Sequence, residues 1–170
     1  TEGMVSRLVT HFDRAVRSGY IPPVLVVFPN GLAESMWCDS KDGSVPMETI
    51  VVKELLPYVD RTFRTVASRE GRMIEGFSMG GYGAARLGLK HHEFFGAASI
   101  LGAGPLQREF NASVGPPGMA HARLKVLRNV YGDDQAYFKA LSPWTLAEEH
   151  AERLRGRLHV RLVVGSRDNM

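Results

Sequence analysis

Apolar positions along the chain shift between helical spacing and unbroken runs. Val5, Leu8, Val9, Phe12 and Val16 fall at i, i+3, i+4, i+7 and i+11, which predicts an amphipathic helix stopping at Ser18-Gly19. After the Ile21-Pro22-Pro23 joint, Val24 to Phe28 are apolar on consecutive residues. That run predicts a strand covered on both faces, as in a parallel sheet flanked by helices. Pro29-Asn30-Gly31 closes it with turn chemistry, and residues 31 to 47 read as a loop carrying Trp37. Val52, Leu55, Leu56 and Val59 then restore helical spacing, with Glu48 in the first turn and an end near Val59 or Phe63.

The same alternation continues. Arg72 to Gly76 reads as a short strand, Ser78 to Leu89 as a helix and Gly96 to Leu101 as a buried strand. The pattern weakens from Gly102 to Gly132, with a break at Gly115-Pro116-Pro117-Gly118 and a helix over Ala120 to Val130. Ser142-Pro143 offers an N-cap followed by proline at the first helical position, opening a helix through Leu154 that ends at Arg155-Gly156. His159 to Gly165 is strand-like. The series predicts one α/β domain over residues 1–170, a mostly parallel sheet with helices on both faces and an excursion at about 103–141.

Composition narrows the function classes. With 170 residues, 44% of them hydrophobic, the chain can build a core. Its 21 Lys and Arg stand against 18 Asp and Glu, net +3, scattered without a block of like charge, so no nucleic-acid partner is expected. The longest apolar runs reach about a quarter of the ~20 residues that span a bilayer. Thr1 to Arg7 lack the pattern of a signal peptide. Cys38 is alone, so no internal disulfide and no cysteine zinc site are expected, and the compartment stays open.

Gly76-Phe77-Ser78-Met79-Gly80 is a Gly-x-Ser-x-Gly segment between a predicted strand and a predicted helix. In such a nucleophile elbow a sharp turn exposes the serine hydroxyl, and the helix N-terminus aims partial positive charge at a developing oxyanion. Side chains at 76 and 80 are expected to clash with neighbouring backbone, while Gly81, Gly83, Ala84 and Ala85 let the helix approach the sheet. A phosphate-cradling reading is weaker, since neither Gly-x-Gly-x-x-Gly nor a P-loop lysine is present.

A nucleophilic serine needs a base and a carboxylate that orients it, in the chain order Ser, Asp or Glu, His. Asp168 follows the predicted strand ending at Val163-Val164-Gly165. Asp133 and Asp134 compete, but Tyr131-Gly132-Asp133-Asp134 reads as a turn plus helix cap. Only Asn169 and Met170 follow Asp168. His150 reads as a solvated helix residue, His159 as a strand-opening residue, His91-His92 as a helix end, and His11 and His121 as surface positions. A rearranged triad using His150 or His159 stays open.

With these residues in hand, the chain resembles the esterase D family of α/β-hydrolases, which includes feruloyl and acetyl-xylan esterases, S-formylglutathione hydrolase, enterochelin esterases and antigen 85-type mycolyltransferases. The likeness rests on Val26-Val27-Phe28-Pro29-Asn30-Gly31 with Trp37 and Asp39-Ser40, on Glu54 to Asp60, on Gly76 to Ala84, and on Ser142-Pro143 leading to Val164 to Asp168. It implies Ser78 as nucleophile, the Met79 backbone N–H as an oxyanion donor and Asp168 as triad acid. A second oxyanion donor would precede Thr1 and the catalytic histidine would follow Met170, so the resemblance is to an internal portion of such an enzyme, a partial domain lacking both ends. The implied reaction is hydrolysis of a small carboxylic ester through an acyl-serine, without metal or organic cofactor. Trp37 and Phe77 are candidate pocket walls, Trp37 reading equally as packing. A hydrolase-like domain that binds acyl or carbohydrate ligands without turnover is the alternative. Exposed sheet edges would favour a homo-oligomer or strand exchange.

Overall fold

The computed structural model describes residues 2–104, 106–115 and 117–167, and the chain divides into two compact units, residues 1–30 and 31–170. In the first unit, α1 (Glu2–Arg17) follows the predicted spacing. It ends where the Ser18 N–H reaches the Arg14 carbonyl and Gly19 takes φ +72°, a left-handed conformation that costs glycine little. Val9, Phe12 and Val16 of α1 and alternate residues Val24, Val26 and Phe28 line an open hollow of about 320 Å³.

The expected strand at Val24 to Phe28 does not form. The segment has no strand conformation, and its side chains are 37–50% exposed instead of covered on both faces. Hydropathy reports only that residues avoid water, whereas a strand exists through a ladder. Among the described residues no ladder partner joins this run.

The second unit is built on a parallel three-stranded sheet in the order β1 (Met73–Phe77), β2 (Ala97–Leu101), β3 (His159–Val163). Its register aligns Gly76 with Ile100 and Ile100 with Leu162. The chain crosses from β1 to β2 through α4 (Met79–Lys90), and from β2 to β3 through α5 (Ala120–Tyr131), α6 (Gln135–Leu141), α7 (Pro143–Glu149) and α8 (Ala151–Leu154). This is an α/β fold with parallel strands and helical crossovers. Helix α4 lies on the face of Ile74, Ala98 and Ile100, close enough that a methyl group on Gly88 would come within 2.9 Å of the Ala98 Cβ. On the other face Met73 and Phe77 are exposed, and β3 is exposed along its length.

Ahead of the sheet, α2 (Met47–Thr49), a π-helical stretch Ile50–Leu55 and α3 (Leu56–Thr62) run on without a break. Pro57 has no N–H to give and would crowd a normal turn, and the helix widens just before it, the Leu56 N–H bonding the Val51 carbonyl five residues back. Two other helix boundaries test the sequence reading. Ser142 caps α7 as expected, its hydroxyl accepting the Trp144 N–H at 3.2 Å. The single helix expected through Leu154 instead breaks at His150 (φ −102°, ψ 4°), whose carbonyl accepts both the Arg153 and Leu154 N–H and so starts a separate turn.

The larger core joins Met36 and Cys38 of the 31–40 loop, Tyr82 of α4, and Phe110, Leu127, Val130, Tyr131 and Phe138 of the excursion. A smaller one joins Met47, Val51 and Val52 to Leu87 and Phe95. Among the described residues no helix is long and apolar enough to cross a membrane.

Candidate active site

Ser78 occupies the junction between β1 and α4 with φ 56° and ψ −120°, a region that costs a residue with a Cβ about 1–3 kcal/mol. Two hydrogen bonds hold the turn: the Ser78 N–H donates to the Leu101 carbonyl at the end of β2, and the Tyr82 N–H donates to the Ser78 carbonyl, both at 3.0 Å. The serine hydroxyl makes no cap bond to the helix it precedes and sits half-buried at the carboxyl end of the sheet.

The glycines divide the steric work differently from the sequence expectation. A side chain on Gly76 would run into the Gly80 carbonyl and the Gly81 amide. A side chain on Gly80 would meet nothing within 4 Å, which corrects the expected clash there: the Gly80 backbone is the obstacle, while its own Cβ direction is open. Gly81 carries the second constraint, since a Cβ would lie 2.6 Å from the Leu101 carbonyl oxygen. Gly83 faces the Trp37 ring, not the sheet.

At the start of α4 the first N–H groups, Met79 among them, have no acceptor within the helix, as in any α-helix, and lie beside Ser78 at the positive end of the helix dipole. Phe77, immediately before the serine, is 73% exposed.

The loop at 31–40 packs against these first turns. Met36 clusters with Tyr82 and Met79, and the Trp37 ring lies between Gly31 and Gly83. Leu32, Met36 and Trp37 all take positive φ, from 50° to 57°. The wholly buried Arg86 donates one guanidinium N–H to the Trp37 carbonyl at 2.9 Å and another to Glu48. Glu48 also accepts from Lys90 at 2.7 Å and His91 at 2.8 Å. Burial alone would raise the Glu48 carboxyl, but the His91 hydrogen bond, the Arg86 charge and the Lys90 hydrogen bond outweigh it and hold it far below the usual carboxylate range. Sequence reasoning missed this network. Its signal was a lone arginine inside the small, apolar run Ala84-Ala85-Arg86-Leu87.

Burial pushes the Cys38 thiol up, and it donates to the Ser35 carbonyl, so it is a packed side chain. Asp134 caps α6 through the Ala136 and Tyr137 N–H groups, as the turn-plus-cap reading expected.

The structure does not bring a histidine to Ser78 among the described residues. His91 and His92 lie at the far end of α4, roughly 20 Å along a helix rising about 1.5 Å per residue. His150 stacks near His92, ring centres 5.6 Å apart, with its Nδ1 buried, which corrects the expectation of a solvated residue. His159 opens β3 at the amino end of the sheet, opposite the serine, and His11 and His121 are exposed. Asp168 lies outside the described residues. No group of three or more metal-ligating side chains occurs among the described residues.

The family described as "Putative esterase" matches residues 6–170. Esterase Rv1288 of Mycobacterium tuberculosis is 35% identical over 130 residues, covering 71% of this chain and 28% of that protein. An endo-1,4-beta-xylanase/feruloyl esterase of Xylanibacter ruminicola is 32% identical over 103 residues, covering 57% of this chain and 14% of that protein. The chain thus spans little more than a quarter of the length of its mycobacterial relative. Among solved structures, a ferulic acid esterase aligns at TM-score 0.57 and 22% identity over 94% of this chain and 69% of its own. An S-formylglutathione hydrolase from Agrobacterium tumefaciens aligns at TM-score 0.55 and 19% identity over 87% and 63%. At those identities the structures speak for the fold, that of the α/β-hydrolases.

Proposed function

Since the chain belongs to this esterase family, we propose that it carries the nucleophile of a serine carboxylic-ester hydrolase, with Ser78 as the attacking residue. The observation that carries the reading is the Ser78 backbone, φ 56° and ψ −120° between a parallel strand and a twelve-residue helix. Strain of that kind persists at functional turns, and here it frees the hydroxyl from any bond to its own helix.

In the proposed reaction the Ser78 Oγ attacks the ester carbonyl and passes its proton to a histidine base. The resulting oxyanion lies at the start of α4 and accepts the Met79 N–H, a donor already fixed in place before charge develops. Collapse expels the alcohol, which takes the proton from the histidine, and leaves an acyl-serine. Water, deprotonated by the same base, then releases the acid and restores Ser78. We assign the orienting carboxylate to Asp168 and the base to a residue outside 1–170, since the histidines described lie at the helix end, the opposite sheet edge or the surface. Phe77 and Trp37 are assigned to the walls that meet the ester. The substrate is a small carboxylic ester.

A fluorophosphonate probe tests this on the protein in its full natural length. Labelling at Ser78 that disappears in Ser78→Ala is expected. No labelling, or labelling that survives the substitution, overturns the reading and favours a binding domain.

A further inference from the structure

Arg86 is 0% exposed in a helix otherwise lined toward the core by glycine, alanine, leucine and tyrosine. A buried ion pair is weak evidence for stability, because desolvation offsets its Coulomb energy and an apolar residue of similar volume often serves as well. The Arg86 Nε also finds no acceptor among the described residues, a further cost that a purely stabilising design would avoid. What the guanidinium does achieve is a two-way link. One N–H goes to the Glu48 carboxylate and another, at 2.9 Å, to the backbone carbonyl of Trp37.

The Trp37 link falls on strained backbone. Five non-glycine residues among those described have positive φ: Leu32, Met36, Trp37, Ser78 and Asp133. Four of the five lie in the elbow or in the loop packed against it, and such conformations last only where the surroundings over-determine them. For Trp37 the surroundings are the Arg86 hydrogen bond at its carbonyl, the Ser35 hydroxyl that accepts its N–H at 3.2 Å, the contacts of its ring with Gly83 and Gly31, and its packing against the cluster of Met47, Val51 and Leu87. The neighbouring Met36 side chain belongs to the same buried cluster as Tyr82, and Met79, to whose N–H the esterase reading assigns the oxyanion, packs against that cluster.

We propose that Arg86 is a positioning residue of the ester site: its guanidinium holds the Met36–Trp37 turn against the first turns of α4, so that the wall beside Ser78 keeps its shape. This rests on the esterase reading above. Arg86 touches no reacting atom and acts through the Trp37 carbonyl.

Lysine separates the two links, since a single ammonium on a flexible stem can stay with Glu48 but does not reproduce the planar fork that also reaches Trp37. The experiment compares Arg86→Lys with Glu48→Gln in the full-length protein. Arg86→Lys is expected to raise KM for a short p-nitrophenyl ester about tenfold, in keeping with loss of one hydrogen bond to a charged group, with kcat changed less than about threefold. The Trp37 line in fluorine NMR of fluorotryptophan-labelled protein, assigned by its loss in Trp37→Phe, is expected to shift. Glu48→Gln keeps the Trp37 link and is expected to leave that line and KM in place while lowering the melting temperature. Equal KM changes in the two variants, or an unmoved Trp37 line in Arg86→Lys, overturns the proposal. If wild-type protein is not labelled at Ser78, the esterase reading fails on its own account, and the NMR comparison still decides whether Arg86 holds Trp37.

Discussion

Gly76 and Gly80 meet backbone to backbone: a methyl group on Gly76 would collide with the Gly80 carbonyl, whereas one on Gly80 would project into open space. The two glycines of the motif are therefore unequal. Gly76→Ala is expected to cost about 1–3 kcal/mol, the range for overpacking, and to slow probe labelling of Ser78 by shifting the turn. Gly80→Ala, in the first turn of α4, is expected to be neutral or to stabilise by up to about 1 kcal/mol through helix propensity. Thermal melts of the two variants check this, and equal losses would contradict the geometry.

The left-handed Ser78 backbone predicts a trade between activity and stability. Glycine reaches φ 56° without Cβ strain, so Ser78→Gly is expected to abolish turnover while raising stability by about 1 kcal/mol. Ser78→Ala keeps the Cβ and is expected to lose turnover with no such gain. Urea denaturation midpoints of the two variants, measured side by side, separate the effects.

Glu48 makes part of the stability acid-sensitive. Its folded carboxyl lies far below the ordinary value of 4.5, so its contribution is present above that pH and is lost as pH falls below it. Wild-type protein is expected to be more stable than Glu48→Gln at pH 7, with the gap narrowing steadily below about pH 4.5. Denaturant titrations of both proteins between pH 7 and pH 3 provide the check, and a gap that widens in acid would refute the assignment.

At alkaline pH the sign reverses for Tyr82. Burial pushes its phenol up to about 12, although the Tyr131 hydroxyl, 3.2 Å away, donates to it. The folded state keeps a proton that the unfolded chain releases near pH 10, so stability falls between about pH 10 and 12. Tyr82→Phe is expected to flatten that decline, read from melting temperature against pH. Tyr131→Phe leaves the buried Tyr82 hydroxyl without its donor and is expected to cost about 1 kcal/mol at neutral pH.

The sequence by itself determined what local rules can encode. Local pattern located α1, α4 and α5, Ser142-Pro143 and Asp134 declared the caps of α7 and α6, and the Gly76 to Gly80 segment marked the strand-to-helix turn on which Ser78 stands. These features depend on a few neighbouring residues, so one chain segment carries their physics. Local pattern failed at Val24 to Phe28 because an apolar run becomes a strand only when another strand supplies its ladder. It placed a steric constraint at Gly80 that the structure does not show, whereas Gly81 makes the expected close approach to the sheet, its Cβ direction blocked by the Leu101 carbonyl. It was silent on Arg86, Glu48 and the Trp37 carbonyl, which lie 38 and 49 residues from the arginine along the chain. A buried charge is tolerable only where distant partners converge on it, and only tertiary structure brings those partners together.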